Sequence, residues 1–322
     1  LPDAVKQSVQ TIRGDDLDIL VFGCNLSANQ GYGMMLASHR LARKQGIHFC
    51  NPVSSGLSNV DFFLLGEYTD PEPSITGQYS EKVVKLSGAC ICFDLSGEEV
   101  NDHPPVSRKS VGTHGNELVF VSGANFFKLV PELLDNWAQI LAAVPDSRLV
   151  LYPFGPAWSH QYPRAAFKGA IENVLRERGV ASSRLEIIDT MADRGEIIGL
   201  LKSADIYLDA WPYNGATSLL DPLQVGLPTV VMDGNQLRFK QGAAILKELG
   251  LNELITDSRE AYTKLAVGLS QDGNWRKDLR NRIRDCLKAG PMFLDPQGFS
   301  TQVGQIFKTL AAKDFDPLRI AV

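Results

Sequence analysis

Short apolar segments alternate with helical segments through the second half of the chain, and this alternation limits the possible folds more than any other feature. Apolar runs typical of buried strands occupy positions 117–121, 148–152, 185–188, 206–209 and 229–232. Helical periodicity is found between them at 131–143, 165–178 and 194–203, and again from Thr217. Because a strand–helix–strand order requires parallel strands joined by crossover helices, this half is predicted to be a doubly wound α/β domain.

The first 112 residues show the same alternation with fewer strands. Apolar runs at 18–23, 47–50, 61–65 and 82–86 predict strands, and a helix is expected at 34–44. A doubly wound domain needs more strands than these, so we expect the front of the first domain to be missing from this sequence. Gly, Pro and Ser at 94–116 indicate a linker. The predicted domains are therefore 1–112, a partial domain with its linker, and 113–322, a complete domain ending in helices.

Composition narrows the classes of function. The net charge of -5 argues against nucleic acid as the main partner, because phosphate backbones are usually bound by a basic face. The sequence has no run of 18 apolar residues, so no membrane span is expected. The five cysteines are scattered and complete no zinc pattern, which favours free thiols in a reducing cytoplasm and no metal site.

Residues 209–221 carry the strongest indication of a binding site. This segment follows a predicted strand, turns at Asn214, and starts a helix with Thr217 and Ser218. Unpaired N–H groups and the helix dipole favour an anion at such a position, and the hydroxyls add donors for a diphosphate. Asp221 lies one turn further on and could accept hydrogen bonds from ribose hydroxyls. Routine capping of a helix explains the same pattern about equally well.

Three single residues also follow predicted strands of the second half, where doubly wound folds bind ligands. Lys128 could neutralise a developing diphosphate, although a solvated loop lysine is the commoner case. Arg194 could stack on or hydrogen-bond a nucleotide base, and a surface arginine is the alternative. His160 could be a general acid or base or contact an acceptor or a sugar, and a surface residue is the alternative.

One loop of the first half is a further candidate. Asn51, Ser54 and Ser55 follow the predicted strand at 47–50 and could contact an acceptor or a sugar. As a plain turn the segment requires no function.

Short motifs in a common order, from about residue 14 to about residue 312, resemble a known family. The marks in the first half are Asp18-Ile19-Leu20-Val21, Arg40-Leu41-Ala42 with Gln45, Pro52 with Ser54-Ser55-Gly56, Asp61-Phe62, Tyr68-Thr69-Asp70-Pro71 and Gln78-Tyr79-Ser80-Glu81-Lys82-Val83. Those in the second half are Asn125, Lys128, Trp137, Ile140-Leu141, Val144-Pro145, Ala204-Asp205, Leu208-Asp209, Asn214-Gly215, Thr217, Asp221, Gly226, Pro228 and Glu253-Leu254-Ile255. The family comprises the protein O-GlcNAc transferases, the plant SPINDLY proteins and the bacterial HMW1C-like protein N-glucosyltransferases, the GT41 type.

The resemblance implies a GT-B fold, in which two Rossmann-like doubly wound domains face a cleft. Residues 1–112 would then belong to the acceptor side and 113–322 would bind the nucleotide sugar. The implied reaction is an inverting transfer of a hexose or N-acetylhexosamine from a UDP-sugar to Asn, Ser or Thr of a protein. Because no cluster of metal ligands is visible in the sequence, we expect no metal and no other cofactor. A helical-repeat region that recruits protein acceptors is expected to precede residue 1.

The resemblance also implies roles for single residues. Lys128 resembles the family's diphosphate-binding lysine and is expected to be catalytic, and Asn125 stands where a phosphate-contacting Gln is usual. The other implied donor-binding residues are Ala192, Arg194, Asn214, Gly215, Ala216, Thr217, Ser218 and Asp221.

Some positions depart from the family pattern. Ala216 replaces a His of the O-GlcNAc transferases, and Asn51 stands where the N-glucosyltransferases carry a His. Ile197 and Gly199 replace polar residues on the base side. These departures leave the general base unnamed. They also keep two alternatives open: a GT-B transferase acting on a small molecule or glycan, and a non-catalytic nucleotide-sugar-binding protein.

Overall fold

The computed structural model describes residues 3–26, 31–48, 50–70, 76–95, 103–113, 116–152, 164–188, 191 and 193–312. The chain forms two compact units. The first unit comprises Leu1–Asp94, Asn235–Arg238 and Gly290–Val322, and the second comprises Leu95–Gly234 and Phe239–Ala289.

A parallel sheet organises the described part of the first unit. Its elements in chain order are α1 (Asp3–Gly14), β1 (Ile19–Phe22), α2 (Tyr32–Ala37), β2 (Lys44–Ile47), β3 (Phe62–Gly66) and β4 (Lys82–Leu86). The four strands described here lie in the order β1-β2-β3-β4, and every pair is parallel. Both faces of β3 are buried because Phe63 and Leu65 pack into one apolar cluster while Phe62 and Leu64 pack into another.

The second unit contains a larger parallel sheet. Its elements in chain order are β5 (Leu118–Ser122), α3 (Pro131–Ala143), β6 (Ser147–Leu151), α4 (Arg164–Glu177), β7 (Leu185–Ile187), α5 (Arg194–Ser203), β8 (Ile206–Leu208), α6 (Leu220–Gln224), β9 (Thr229–Met232), α7 (Gln241–Glu248), β10 (Ile255–Thr256), α8 (Arg259–Gln271) and α9 (Gly273–Lys288). Among the described residues the strand order is β10-β9-β8-β5-β6-β7. Counted within this unit, that is the doubly wound order 3-2-1-4-5-6 read from the other edge, with the direction of winding reversing between β5 and β8.

The last helix, α10 (Pro296–Ala311), belongs to the first unit. Ile306 and Leu310 pack in the same apolar cluster as Phe62 and Leu64 of β3. The predicted division at 112/113 instead placed every later residue in the second domain. An amphipathic helix shows that one of its faces is buried, but its sequence does not show which sheet covers that face.

The predicted helix at 34–44 and strand at 47–50 are wrong in their bounds, since α2 ends at Ala37 and β2 covers Lys44–Ile47. The reason is Gln45, a polar residue that is fully buried. Its Nε2 donates to His39 O (3.1 Å) and Asn59 O (2.8 Å), and its Oε1 accepts from the Ala42 amide (3.1 Å). A satisfied buried amide looks like a solvated helix position in a hydropathy pattern.

Part of the predicted linker at 94–116 packs against α5. Val106 N donates to Gly199 O at 3.0 Å, and Ser203 Oγ donates to Val106 O at 2.7 Å. A Cβ at Gly199 would lie 2.9 Å from Pro104 O, so glycine permits this close approach. The departure from the family pattern at Gly199 therefore has a packing reason.

Helices were predicted for everything after residue 232, but the described chain also contains β10, which pairs with β9. Two residues are too few for a periodic signal.

No helix in the described part of the chain is both long and apolar enough to span a membrane.

Candidate active site

The reversal of strand order places two loops side by side. Strands β5 and β8 are neighbours, with Phe120 opposite Ile206 and Val121 opposite Tyr207. Because they are parallel, the loops that follow them leave the same edge of the sheet. These loops carry Lys128 and the segment 209–218, so the topology brings together the two stretches that the sequence singled out.

Lys128 is positioned by a short turn. Asn125 Oδ1 accepts a hydrogen bond from the Phe127 amide at 3.0 Å and caps the 3₁₀ turn Phe126–Lys128. Lys128 Nζ donates to Asn214 O at 2.8 Å and lies 4.3 Å from the centre of the Tyr213 ring. The amine at position 128 is thus held against the turn at 213–214.

Burial affects the charge of this amine. Desolvation lowers the pKa of Lys128, and the negative charge of Asp209 raises it in opposition. An ammonium group has three donors, and Asn214 O receives one of them. The group can therefore also donate to an anion placed beside the turn.

The turn itself is fixed by buried polar contacts. Asn214 is fully buried, and its Nδ2 donates to Ala210 O (2.9 Å) and Met232 O (3.2 Å). The Gly215 amide donates to Asp209 Oδ1 at 2.9 Å. A Cβ at Gly215 would lie 2.5 Å from Ser218 Oγ, so only glycine fits without displacing that hydroxyl. These contacts fix the backbone at 214–215.

The predicted helix at Thr217 begins as a 3₁₀ turn, Thr217–Leu219, which continues into α6 (Leu220–Gln224). Thr217 is exposed and Ser218 is half-buried, and Ala216 precedes the turn. The first N–H groups of such a turn have no partner within it, so the segment keeps the donor character expected of a helix start.

Arg194 and Asp221 come together in the second unit. Asp193 caps α5 by accepting from the Glu196 amide at 3.0 Å, which places Arg194 in the first turn. Arg194 Nε donates to Asp221 Oδ1 at 2.8 Å, and its Nη2 donates to Gln224 Oε1 at 2.5 Å. The arginine and the carboxylate, predicted to contact base and ribose, therefore form an ion pair with each other.

The sequence analysis did not identify two residues of the site, Tyr207 of β8 and Asp209 directly after this strand. Tyr207 OH accepts from the Gly123 amide at 3.1 Å, and so links β8 to the loop that carries Lys128. Asp209 is buried beneath the turn. Asp209 had a visible signal, since it is an acidic residue at the end of an apolar strand, but the pattern gave Tyr207 no polar role.

The residues of the first unit that were predicted to contact an acceptor or a sugar form hydrogen bonds within the protein. Asn51 Oδ1 accepts from the Leu26 amide (2.9 Å), and Asn51 Nδ2 donates to Cys24 O (3.0 Å). Ser54 Oγ donates to Glu81 Oε2 (2.8 Å), and the Ser55 amide donates to Glu81 Oε1 (2.8 Å). These side chains join the loops of their own unit.

Two predicted site residues, Ala192 and His160, lie outside the described residues. Within the described ranges, no group of three or more His, Cys, Asp and Glu side chains is placed to hold a metal ion.

The six-stranded sheet, with an amine and an Asn-Gly turn at its switch point, is typical of nucleotide-binding α/β proteins. The chain belongs to glycosyl transferase family 41, whose profile matches residues 93–301. The resemblance found in the sequence is thereby confirmed.

Individual relatives agree with this assignment. The probable UDP-N-acetylglucosamine–peptide N-acetylglucosaminyltransferase SPINDLY of Petunia hybrida is 29% identical over 289 residues, which are 89% of this chain and 29% of the relative. The UDP-N-acetylglucosamine–peptide N-acetylglucosaminyltransferase of Caenorhabditis elegans is 30% identical over 58% of this chain and 16% of its own length. The chain spans less than a third of the length of these relatives.

Solved structures give the fold. The Thermobaculum terrenum O-GlcNAc transferase, in a mutant form, superposes with a TM-score of 0.80 at 26% identity, covering 95% of this chain and 55% of that one. Sucrose-phosphate synthase of Thermosynechococcus elongatus, at 14% identity and a TM-score of 0.62, covers 96% of this chain and 78% of its own and shares the fold alone. The predicted GT-B fold class is confirmed.

Proposed function

We propose that this protein is an inverting glycosyltransferase that moves a hexose or N-acetylhexosamine from a UDP-sugar to Asn, Ser or Thr of a protein. Family membership supports transfer of a sugar, and the names of the relatives from Petunia and Caenorhabditis support a UDP-sugar donor and a peptide acceptor. The observation that carries the proposal is the 2.8 Å contact between Lys128 Nζ and Asn214 O at the switch point.

The proposed reaction is a single in-line displacement at the anomeric carbon. The acceptor atom gives up its proton to a base and forms a bond to this carbon as the bond to the diphosphate oxygen breaks, so the configuration inverts. Negative charge on the leaving diphosphate increases in the transition state. Lys128 and the N–H groups at 216–218 would stabilise that charge more than they stabilise the bound donor, which is the condition for catalysis.

The neighbouring residues have proposed binding roles. The hydroxyls of Thr217 and Ser218 would donate to phosphate oxygens. Asp221 would accept from the ribose hydroxyls while Arg194, which now pairs with it, would turn toward the base. We assign no general base.

The proposed leaving-group stabilisation uses an ammonium group and backbone amides, and therefore requires no metal. A chelator such as EDTA should leave turnover unchanged, and restoration of lost activity by Mg²⁺ or Mn²⁺ would contradict this part of the proposal.

The proposal is tested by incubating the full-length protein with candidate acceptor proteins and UDP-glucose, UDP-GlcNAc or GDP-fucose in turn. Intact-mass and peptide mass spectrometry should show one sugar added per site with a UDP-sugar, on Asn, Ser or Thr. Modification of free saccharides alone would indicate a glycan acceptor. Binding of a UDP-sugar without any product would indicate a non-catalytic protein.

A further inference from the structure

Asp209 occupies an unusual position for a carboxyl group. It follows β8 directly and is 1% exposed. Its Oδ1 accepts from the Gly215 amide, and its backbone oxygen accepts from Tyr262 OH at 2.8 Å. Within the described part of the chain, its Oδ2 has no hydrogen-bond partner. A Cβ at Gly242 of α7 would lie 2.8 Å from this oxygen, so the second oxygen lies against helix backbone.

Fixing the Gly215 amide does not require a carboxylate. An Asn or Ser side chain could accept the same hydrogen bond without leaving a charged oxygen in an apolar environment, which is costly. The carboxyl group therefore calls for an electrostatic partner.

That partner is Lys128. Lys128 lowers the pKa of Asp209 and Asp209 raises that of Lys128, and the charge of Asp209 also acts on Tyr207 and Tyr262. Burial raises the pKa of both tyrosines, so they are neutral near pH 7. From α7 the facing residue is Gly242, which carries no charge. Lys128 and Asp209 are hydrogen-bonded to adjacent residues of one turn, Asn214 and Gly215, so Lys128 is a cation placed to balance this carboxylate.

Resting on the function proposed above, we propose that Asp209 is a positioning residue of the donor-diphosphate site. One carboxylate oxygen fixes the Gly215 amide, while the negative charge keeps the Lys128 amine protonated beside the leaving diphosphate. Asp209 acts through these two groups and does not touch the donor.

The proposed role of Asp209 predicts that donor binding changes its protonation. Burial raises the pKa of Asp209 to about 7, while the Gly215 amide and Lys128 lower it. A diphosphate bound to Lys128 brings negative charge toward Asp209 and disfavours its ionised form. Near pH 7, UDP binding to the wild-type protein should therefore be accompanied by uptake of a fraction of a proton at Asp209.

The first test uses Asp209→Asn, which keeps an acceptor for the Gly215 amide and removes the charge. Calorimetric titration of the full-length protein with UDP, in buffers of different ionisation enthalpy, should show less proton uptake at pH 7 than in wild type. The alkaline limb of kcat should move to lower pH, and kcat at pH 8 should fall about tenfold, the equivalent of one charge-assisted contact.

Asp233→Asn is the matched control. Asp233 follows the neighbouring strand β9 and pairs with Lys240 (3.1 Å) and Lys247 (2.8 Å). Its substitution also removes a carboxylate next to lysine, but it should leave proton uptake and the pH profile as in wild type. Equal proton uptake and equal pH profiles in Asp209→Asn and wild type would overturn the proposal.

A second measurement needs neither turnover nor UDP. The pH dependence of Lys128 acetylation, followed by mass spectrometry, should shift to lower pH in Asp209→Asn. In Lys128→Ala, ¹³C NMR of the Asp209 carboxyl should show titration at higher pH. If wild type fails to bind UDP but these shifts are seen, the proposed function fails while the coupling stands. Absence of both shifts refutes the electrostatic coupling between Asp209 and Lys128. If Asp209→Asn does not fold, the titration of Asp209 in Lys128→Ala tests this coupling alone.

Discussion

Asn51, Ser54 and Ser55 of the first unit and Lys128 of the second unit are all residues suited to binding, but the two units use them differently. In the first unit, Asn51, Ser54 and Ser55 bond to backbone groups of their own unit or to Glu81. In the second unit, Lys128 gives one bond to a carbonyl and keeps further donors. A residue type suited to binding therefore does not by itself identify a binding site. A site is distinguished by hydrogen-bond donors that are not taken up by bonds within the fold.

The largest expected effect is at the carboxyl edge of the second sheet. Lys128→Ala should lower kcat about 100-fold or more, as expected when one preorganised charge contact to a developing anion is lost. Steady-state kinetics with the preferred UDP-sugar measures this. Lys277→Ala, which removes an exposed lysine of α9, is the control and should keep normal turnover. Near-normal turnover in Lys128→Ala would remove the proposed role of this residue.

A smaller effect is expected at Asp221. Asp221→Ala should raise the donor KM by about tenfold with less change in kcat, because a contact to ribose would be made equally in the ground and transition states. The loss also frees Arg194 from its ion pair. A fall in kcat at unchanged KM would instead place Asp221 at the reacting centre.

The loop of the first unit that carries Ser54 and Ser55 should respond in stability and not in UDP affinity. Glu81→Gln weakens the charge-assisted bonds from Ser54 and Ser55, and should cost about 1–3 kcal/mol of unfolding free energy. Urea denaturation measures the cost, and calorimetry should give an unchanged Kd for UDP. A stable variant that loses UDP affinity would show that this loop belongs to the donor site.

The pH dependence of stability should also differ between the units. Burial lowers the pKa of His48 to about 4 from 6.5, so between these values the unfolded chain binds more protons and stability rises with pH. Burial raises the pKa of Asp209 from 3.8 to about 7, so in that window the folded chain binds more protons and stability falls as pH rises. Relative to wild type, His48→Gln should flatten the first trend and Asp209→Asn the second. Urea midpoints at pH 5 and pH 6.5 measure both trends. The change in midpoint from pH 5 to pH 6.5 should be more negative than in wild type for His48→Gln and more positive for Asp209→Asn. Deviations of the same sign in both variants would contradict this assignment.

The sequence predicted the second unit better than the first. Apolar strands separated by helices of ordinary length predict a parallel sheet. Because ligands bind at the carboxyl ends of the strands in such sheets, Lys128 and the turn at 209–218 are expected at the same edge. The pairing of Arg194 with Asp221 was not predictable, because it depends on side-chain directions from two helices. Gln45 misled the strand assignment because burial of a satisfied amide leaves no mark in hydropathy. The roles of Asn51, Ser54 and Ser55 as sugar or acceptor contacts stay predictions.

Hydrogen exchange of the full-length protein with and without UDP compares these two regions directly. If the diphosphate is gripped by the amine and the turn of the second unit, the largest protection should appear in peptides covering 122–130 and 209–221, and should be lost in Lys128→Ala. Peptides covering 50–56 should show less. Protection centred on 50–56, or protection of 209–221 that persists in Lys128→Ala, would contradict the account.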